Sequence, residues 1–264
     1  MIKFFRKIRQ NLLSEGKTGK YFKYAIGEIV LVVIGILIAL QINNWNQDQQ
    51  DQKTVNAYLN GIHEDLATQA VSLKETIPLN ENVIFTINAI IDDYIRHDGF
   101  KANDSLLSQI NEVLNTPGPV EIKTSFTELL NSGDLGLIKN NELRKKIVLF
   151  YQDLEDMFQR GKANVENIYQ PHLLPDLAAR TIIKTPGQYS NSKGSLNEYF
   201  KKRDYSERLK NLAFKRIENK DTELDLLNTL SLRLVIESLE LKRSQNLLEK
   251  LYILNKEIEK EIAK

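Results

Sequence analysis

The sequence of 264 residues contains no cysteine. This absence excludes disulfide bonds, thiol catalysis and every thiolate-coordinated metal site. Glycine and proline are also scarce, with 12 and 6 residues, so few loops are expected and helix is favoured. Hydrophobic residues make up 42% of the chain and charged residues 27%, which is typical of a globular protein and not of a disordered one.

Motifs that carry catalysis or bind cofactors are missing as well. There are three histidines, at positions 63, 97 and 172. They lie far apart, and His63-Glu64 is not followed by the second histidine of an H-E-x-x-H site. No serine lies in a G-x-S-x-G nucleophile elbow. Gly133 and Gly136 lack the lysine of a phosphate-binding loop, and a connection between helices explains them better. We therefore predict no catalytic residue, no metal and no cofactor.

Basic residues are concentrated at the beginning of the chain. Residues 1–23 contain seven Lys or Arg and one acid, whereas residues 46–264 contain 29 basic and 33 acidic residues. The overall charge of +1 is therefore the sum of a basic tail and a mildly acidic domain. Nothing in the larger part resembles the basic surface of a nucleic-acid-binding protein, so we expect no nucleic-acid partner.

The most apolar stretch of the chain is the segment 25–45. Eleven of the sixteen residues from 25 to 40 are Ile, Val or Leu, and with its flanks the segment reaches the roughly 20 residues that span a bilayer. These residues contribute roughly −3 to −6 kcal/mol to insertion, against about +2.5 to +3.5 kcal/mol for an acid such as Glu28 at the bilayer centre. The segment therefore predicts a transmembrane helix. A buried helix of a soluble protein is the alternative, but the basic flank argues against it.

The flanks predict how this segment lies in the membrane. It ends without the small residues that precede a signal-peptidase site, so we expect an uncleaved anchor. Only Lys53 follows within twenty residues, against seven basic residues before, which predicts a cytoplasmic N-terminus. Residues 2–13 indicate a basic amphipathic helix on the inner leaflet. The expected organisation is a basic cytoplasmic segment (1–24), a transmembrane helix and a domain on the far side (46–264).

Small residues share one face of the predicted membrane helix. Gly27, Gly35 and Ala39 are separated by eight and four residues, a spacing that lets two helices approach closely. Small residues are also common in membrane helices that pack against nothing. If the face is used, the partner is another membrane protein or a second copy of this chain.

Polar residues also occur in and beside the predicted membrane helix. Glu28 and Gln41 are the intramembrane polar residues. A carboxylate inside a membrane is by default a functional candidate, but Glu28 can also extend to the interface beside Lys20 or Lys23. The residues expected at the membrane exit are Asn43, Asn44 and Trp45.

The first half of the far-side domain shows helical periodicity. Apolar residues recur at spacings of three and four from Val55 onward, which predicts a helix that Pro78 should break. A second helix is expected over 80–96, with Gly99 as its stop signal. A short helix is expected over 105–114.

Capping boxes and prolines set the remaining helix limits. Ser125 and Glu128 form a capping-box pattern that predicts a short helix ending near Gly133. A long helix is expected over 141–169, ended by Pro171 and Pro175. Residues 184–195 form the clearest loop, and a second capping box, Ser195 with Glu198, should begin the next helix.

The C-terminal stretch carries a nearly heptad row of apolar residues. The row consists of Leu227, Leu230, Leu234, Leu241, Leu248, Leu251, Ile258 and Ile262. Glu237, Ser244 and Asn255 interrupt it. We expect an antiparallel partner helix for this row, or a coiled coil. The fold class that follows is all-α, with one N-terminal transmembrane helix before a helical bundle whose N- and C-terminal helices are long.

Two blocks of the sequence resemble a known family. The string AIGEIVLVVIGILIALQINNW (25–45) and the block FTELLNSGDLGLIKNNELRKKIVLFY (126–151) are similar to uncharacterised membrane-anchored proteins of Bacteroidota, especially flavobacteria. The resemblance implies an inner-membrane location in a Gram-negative cell with the helical domain in the periplasm. It implies no activity, since the family is a domain of unknown function. It gives weight to Gly27, Glu28, Gly35, Gln41, Asn43, Asn44 and Trp45.

Three hypotheses for function follow. The first is a membrane-anchored, non-enzymatic interaction or scaffold protein. The second is a periplasmic ligand-sensing helical bundle, which would have to signal through a partner because only some 23 residues are expected inside the cell. The third is an enzyme with carboxylates in a bundle cleft, although no pair of carboxylates stands out.

Overall fold

The computed structural model describes residues 18–183 and 205–263. All regular secondary structure in these ranges is helical, and the predicted all-α class is confirmed. The amphipathic helix over 2–13, the loop over 184–195 and the capping box of Ser195 and Glu198 lie outside the described residues.

The first helix, α1, runs from Thr18–His97. The chain divides into two units, Met1–Ala57 and Tyr58–Lys264, and α1 contributes to both. Over residues 26–45 its apolar side chains are exposed around the whole helix, for instance Ile29, Val32 and Leu37 at 63%, 54% and 58%. This is the one helix in the described part of the chain that is long and apolar enough to cross a membrane.

Pro78 does not break this helix, contrary to the prediction. It lies inside α1, and the expected separate helix over 80–96 is a continuation of the same one. Pro78 removes the helical donor to the carbonyl of Lys74. Both residues lie on the exposed side of the helix, where a carbonyl without an internal partner is open to solvent. The buried face continues without interruption through Leu73, Thr76 and Asn80, and its packing outweighs the local preference.

Short helices follow in the second unit. They are α2 (Asp104–Val113), α3 (Thr124–Ser132), a 3₁₀ turn (Asp134–Leu137) and α4 (Asn141–Asn164). Side chains cap two of them: Asn103 accepts from the N–H of Leu106 at 2.9 Å, and Asn140 accepts from that of Leu143 at 3.1 Å. The predicted limits of α2 and the beginning of α4 therefore hold.

The capping box predicted at Ser125 is wrong. Helix α3 begins one residue earlier, and its N-cap residue, Lys123, makes no side-chain cap. The N–H of Ser125 instead donates to the carboxylate of Asp65 on α1, at 2.7 Å. The N–H of Ser125 thus has its acceptor on another helix, where the capping box would have supplied the side chain of Glu128. Gly133 ends the helix as predicted, with a left-handed φ of 78°.

Pro171 and Pro175 do not end the long helix either. After Asn164 the chain continues as a π-helical segment (Val165–Leu173) and then as α5 (Leu174–Arg180). The wider π turn bonds residues five apart, as between the N–H of Leu174 and the carbonyl of Tyr169. The altered bonding pattern accommodates Pro171 without a chain break.

The last elements are α6 (Glu207–Ile217), a 3₁₀ turn (Lys220–Thr222) and α7 (Glu223–Ile262). Helix α7 runs antiparallel to α4, because Lys250 binds Asp153 and Lys146 binds Glu257, each at 2.6 Å. It also contacts α1, where the His63 ring lies 2.8 Å from Asn255 Oδ1. These two helices are the antiparallel partners of α7.

The buried face of α7 differs from the predicted apolar row. Of that row only Leu230, Leu251 and Ile258 are buried. All but one of the buried residues of α7 fall at heptad spacing, and they include Arg233, Glu237 and Ser244. The residues that interrupt the apolar row therefore belong to the buried face itself.

Apolar clusters lie toward the two ends of α7. The first cluster packs the end of α1 and all of α2 against α6 and the beginning of α7, with Ile87, Ile110 and Leu226 fully buried. Toward the other end of α7, Leu247, Leu251, Leu254 and Ile258 are buried. The polar stretch 233–244 lies between these two apolar stretches.

Candidate functional site

The residues predicted in the membrane helix share an exposed environment. A side chain at Gly27 or Gly35 would meet no other described atom within 4 Å, and Ala39 is exposed. Glu28 is partly buried and has an interaction partner. Gln41, Asn43, Asn44 and Trp45 are exposed. The structure brings none of these residues into a cavity, and their roles in packing and at the interface stay predictions.

A cavity of about 220 Å³ lies in the second unit. Its wall is formed by Asn80 of α1, the segment 116–119, the end of α4, the π-helical segment and the polar stretch of α7. Most of this lining is apolar, with Met157, Phe158 and Ile236 among its members. An apolar cavity with a few convergent polar groups is the usual form of a small-molecule site.

A buried ion pair forms the polar side of the cavity. Arg233 Nη1 lies 2.7 Å from Glu237 Oε1, and the two side chains are only 3% and 4% exposed. The spacing of four residues puts both on the same face of α7. Charges this deeply buried are costly unless they are paired and hydrogen-bonded.

Arg233 also connects α7 to the end of α2. Its Nη2 donates to the carbonyl of Asn115 at 2.6 Å, and the guanidinium lies over the ring of Tyr169, 4.8 Å from the centroid. The Tyr169 hydroxyl donates to the carbonyl of Leu114. A cation is favourable beside the free carbonyls of a helix C-terminus, so Arg233 has a structural role as well.

Three buried polar atoms of this site have no hydrogen-bond partner among the described residues. They are Asn80 Oδ1, Arg233 Nε and Glu237 Oε2. Their residues are 2%, 2% and 3% exposed and all line the cavity. Buried polar atoms in folded proteins are almost always bonded. Four further such atoms occur in the described residues away from this cavity, on Gln69, Glu121, Tyr151 and Asp176.

On the far side of the cavity, the carboxylate of Glu240 has hydrogen-bond partners. Glu240 accepts from Asn164 Nδ2 at 2.8 Å and from Arg243 at 2.9 Å. The Ser244 hydroxyl lies 4.0 Å from the sulfur of Met157. Gly161 of α4 faces this side, and a Cβ built there would lie 3.8 Å from Glu240 Oε2, an ordinary contact. Gly161 therefore leaves space that a larger side chain would fill.

Burial shifts the proton affinities of the site. It raises the pKa of Glu237, although the charge of Arg233 acts in the opposite direction. It lowers the pKa of Arg233, which the charge of Glu237 opposes. Burial also raises the pKa of the Tyr169 hydroxyl. Desolvation of the charged forms is the cause in all three residues.

The described residues include no group of three or more side chains that could hold a metal ion. The cavity combines apolar walls with a carboxylate, an amide and a guanidinium group from Glu237, Asn80 and Arg233.

The sequence analysis missed Asn80, Arg233 and Tyr169. One signal was present, because Glu237 and Ser244 interrupt the apolar row. Arg233 stands four residues before Glu237, the spacing of a helical ion pair. Nothing local in the sequence distinguishes Asn80 or Tyr169 from other helix residues.

Comparison with known protein families identifies the wider group. Residues 28–170 match the model of a family of unknown function, DUF6090. The match covers more than half of the chain, so the protein belongs to this family. It includes most of the predicted membrane helix and the cavity residues Asn80, Met157 and Tyr169, but not Arg233 or Glu237. Searches of the curated proteins and of the solved structures found no match.

Proposed function

We propose that this protein is a membrane-anchored, non-enzymatic binding protein whose helical domain takes a small molecule in the cavity beside Arg233 and Glu237. This is the ligand-sensing hypothesis of the sequence analysis. The observation that carries it is a mostly apolar cavity of about 220 Å³ whose lining includes a buried ion pair, the usual form of a small-molecule site.

The proposal includes a location. The exposed apolar stretch of α1 supports insertion into a bilayer, which removes those side chains from water. The basic residues before it support a cytoplasmic N-terminus and a periplasmic helical domain at the inner membrane. The Bacteroidota origin suggested by the N-terminal block belongs to the same proposal.

Binding is tested by comparing the native protein with a variant in which a larger side chain fills the cavity. Full-length protein is purified from its own membranes, and any bound small molecule is released by denaturation and identified by mass spectrometry. Gly161→Leu should abolish the released molecule without loss of stability, since leucine replaces a helix-interior glycine and fills open space. Ala163→Leu, which introduces the same side chain on the exposed side of α4, is the matched control and should retain it. If neither protein releases a molecule, the proposal is contradicted.

A second candidate function is lateral assembly, in which the chain is an interaction or scaffold protein. The open space around Gly27 and Gly35 supports it, because a second helix could approach there closely. The partner would be another membrane protein or a second copy of this chain.

Assembly is tested by crosslinking in native membranes followed by affinity purification. Gly35→Ile should weaken co-purification of the partner or oligomer. The control is Val33→Phe, which adds similar bulk on the opposite side of the helix, given 3.6 residues per turn. Equal recovery with both variants would exclude packing through this face.

A further inference from the structure

The surface that the cavity offers to a ligand is mostly apolar. Its apolar residues include Pro117, Met157, Phe158 and Val165, which come from three different segments of the chain. Contact with such a wall stabilises a bound molecule when the molecule is itself apolar, because the contact then removes apolar surface of both from water. The wall therefore favours a ligand with a predominantly apolar surface.

The charged pair of the lining is largely closed to such a ligand. The side chains of Arg233 and Glu237 are only 3% and 4% exposed, and they bind each other at 2.7 Å. A molecule in the cavity can contact little of either charged group. The pair therefore gives a ligand no accessible charge with which to form an ion pair.

The other charged residues of the lining are Lys162 and Glu240, and each has an opposite charge beside it. Lys162 Nζ lies 3.8 Å from Glu166 Oε1, and Glu240 accepts from Arg243 at 2.9 Å. A ligand with a net charge would bring an unpaired charge to a site where each charged group of the described lining already has a partner, which is costly. The charges therefore favour a ligand that carries none.

The volume of the cavity limits the size of the ligand. A protein cavity of about 150 Å³ holds benzene, so by the same ratio a cavity of about 220 Å³ has room for about nine non-hydrogen atoms. This is the size of two small fused rings, or of one ring with a short side chain. A molecule with a third fused ring would be too large.

We infer that the cavity binds an uncharged, apolar molecule of about nine non-hydrogen atoms, such as a fused bicyclic hydrocarbon. The ligand is held by contact with the apolar wall and not by the ion pair. This inference rests on the proposed binding function and adds to it the chemical class and the size of the ligand.

The test of charge uses full-length protein in micelles of deuterated detergent and NMR measurement of the saturation transferred from the protein to a probe. The probes are indane, benzoate and phenethylammonium, which have the same number of non-hydrogen atoms and differ in charge. The signal from the cavity is the difference between Ala163→Leu, which leaves the cavity open, and Gly161→Leu, which fills it. This difference cancels the partitioning of a probe into the micelles.

In this difference, indane should bind about tenfold or more tightly than either charged probe, because a charged probe loses its hydration without gaining a partner. If a charged probe binds as tightly as indane, or if indane gives the same signal in both variants, the inference is overturned.

The test of size uses indane and the three-ring hydrocarbon fluorene. The wild type should bind indane more tightly than fluorene. Phe158→Ala removes a phenyl ring from the cavity wall and should strengthen the binding of fluorene by about tenfold, since the space left by a large side chain is only partly refilled. Phe85→Ala removes the same ring from the exposed side of α1, where Phe85 is 72% exposed, and should change neither affinity. Tighter binding of fluorene than of indane by the wild type, or no gain in Phe158→Ala, overturns the inference.

Failure of the ligand class can be separated from failure of the proposed function. If the native protein releases a charged or a larger molecule that is lost in Gly161→Leu, the binding function holds and the ligand class is wrong. If the native protein releases no molecule and no probe binds, both are wrong.

Discussion

At the scale of single residues, Arg233 and Glu237 hold the least expected position in the molecule. Two charged residues lie on the buried face of α7, at positions where a packed helix usually has apolar residues. Replacing such a pair by apolar residues is often neutral or stabilising, whereas removing one partner leaves an uncompensated buried charge. The proposed binding function would give a reason for keeping the charged pair on this face.

A double-mutant cycle tests this assignment. Arg233→Met alone should lower the free energy of unfolding by about 3–5 kcal/mol, because Glu237 stays buried without its partner. The double variant Arg233→Met with Glu237→Leu should recover most of that loss. Both are measured by denaturant unfolding of the full-length protein in detergent. Strictly additive losses would show that the two residues stabilise the fold independently.

The raised pKa of Glu237 predicts a pH dependence. Because the fold favours the protonated carboxyl, its stabilising contribution is fully present below the ordinary pKa of 4.5. This contribution is lost as the pH rises through the raised pKa of the folded protein. Its size is about 1.4 kcal/mol for each unit by which folding raises the pKa of the carboxyl. The free energy of unfolding of the wild type relative to Glu237→Gln should therefore fall with rising pH over this window. Because both proteins contain the same other carboxylates, their effects cancel in this comparison. If the free energy of unfolding of the wild type rose with pH relative to Glu237→Gln, burial would not be the cause of the pKa shift.

At the scale of secondary-structure elements, two of the expectations that failed concern residues beside the cavity. Most helix limits were predictable, since caps at Asn103 and Asn140 and the stop at Gly133 act locally. Pro78 was expected to break a helix and instead stands two residues before Asn80. Pro171 was expected to end one and lies in the π-helical wall of the cavity.

The predictions for these prolines failed because local sequence signals carry no information about tertiary contacts. The polar residues on α7 were recognised as interruptions of an apolar row, but a row of side chains does not reveal what lies opposite to it. Departures from local rules are expected at functional sites. In this chain they mark the cavity that periodicity alone could not locate.

A close approach between α1 and α3 gives a prediction at this scale. A Cβ at Gly61 would lie 2.7 Å from Ser125 Oγ and 3.1 Å from Ser125 Cβ. Gly61→Ala should therefore lower the free energy of unfolding by about 1–3 kcal/mol through overpacking, measured by thermal or denaturant unfolding.

Two further variants control this prediction. Adding Ser125→Gly to Gly61→Ala removes the clashing atoms and should restore part of the stability. Gly136→Ala meets no described atom within 4 Å and should change stability by no more than about 0.5 kcal/mol. A destabilising Gly136→Ala, or no rescue by Ser125→Gly, would show that the loss does not come from the contact between the helices.

At the scale of the whole molecule, an exposed apolar stretch and the cavity occur in the same chain, and one helix contributes to both. Asn80 belongs to α1, the helix that also contains the exposed apolar stretch. The proposed binding function thus requires a definite orientation, because the side of the membrane on which the domain lies decides which molecules can reach it.

The absence of cysteine makes this orientation directly measurable, because any introduced thiol is the only one in the chain. Glu249→Cys lies on the exposed side of α7, and Gln10→Cys lies in the basic N-terminal segment. A membrane-impermeant maleimide should label Glu249→Cys in cells whose outer membrane alone has been permeabilised. It should label Gln10→Cys only after the inner membrane is opened, since the seven basic residues before the apolar stretch predict a cytoplasmic N-terminus. The reverse pattern would put the cavity in the cytoplasm and restrict its ligand to cytoplasmic molecules.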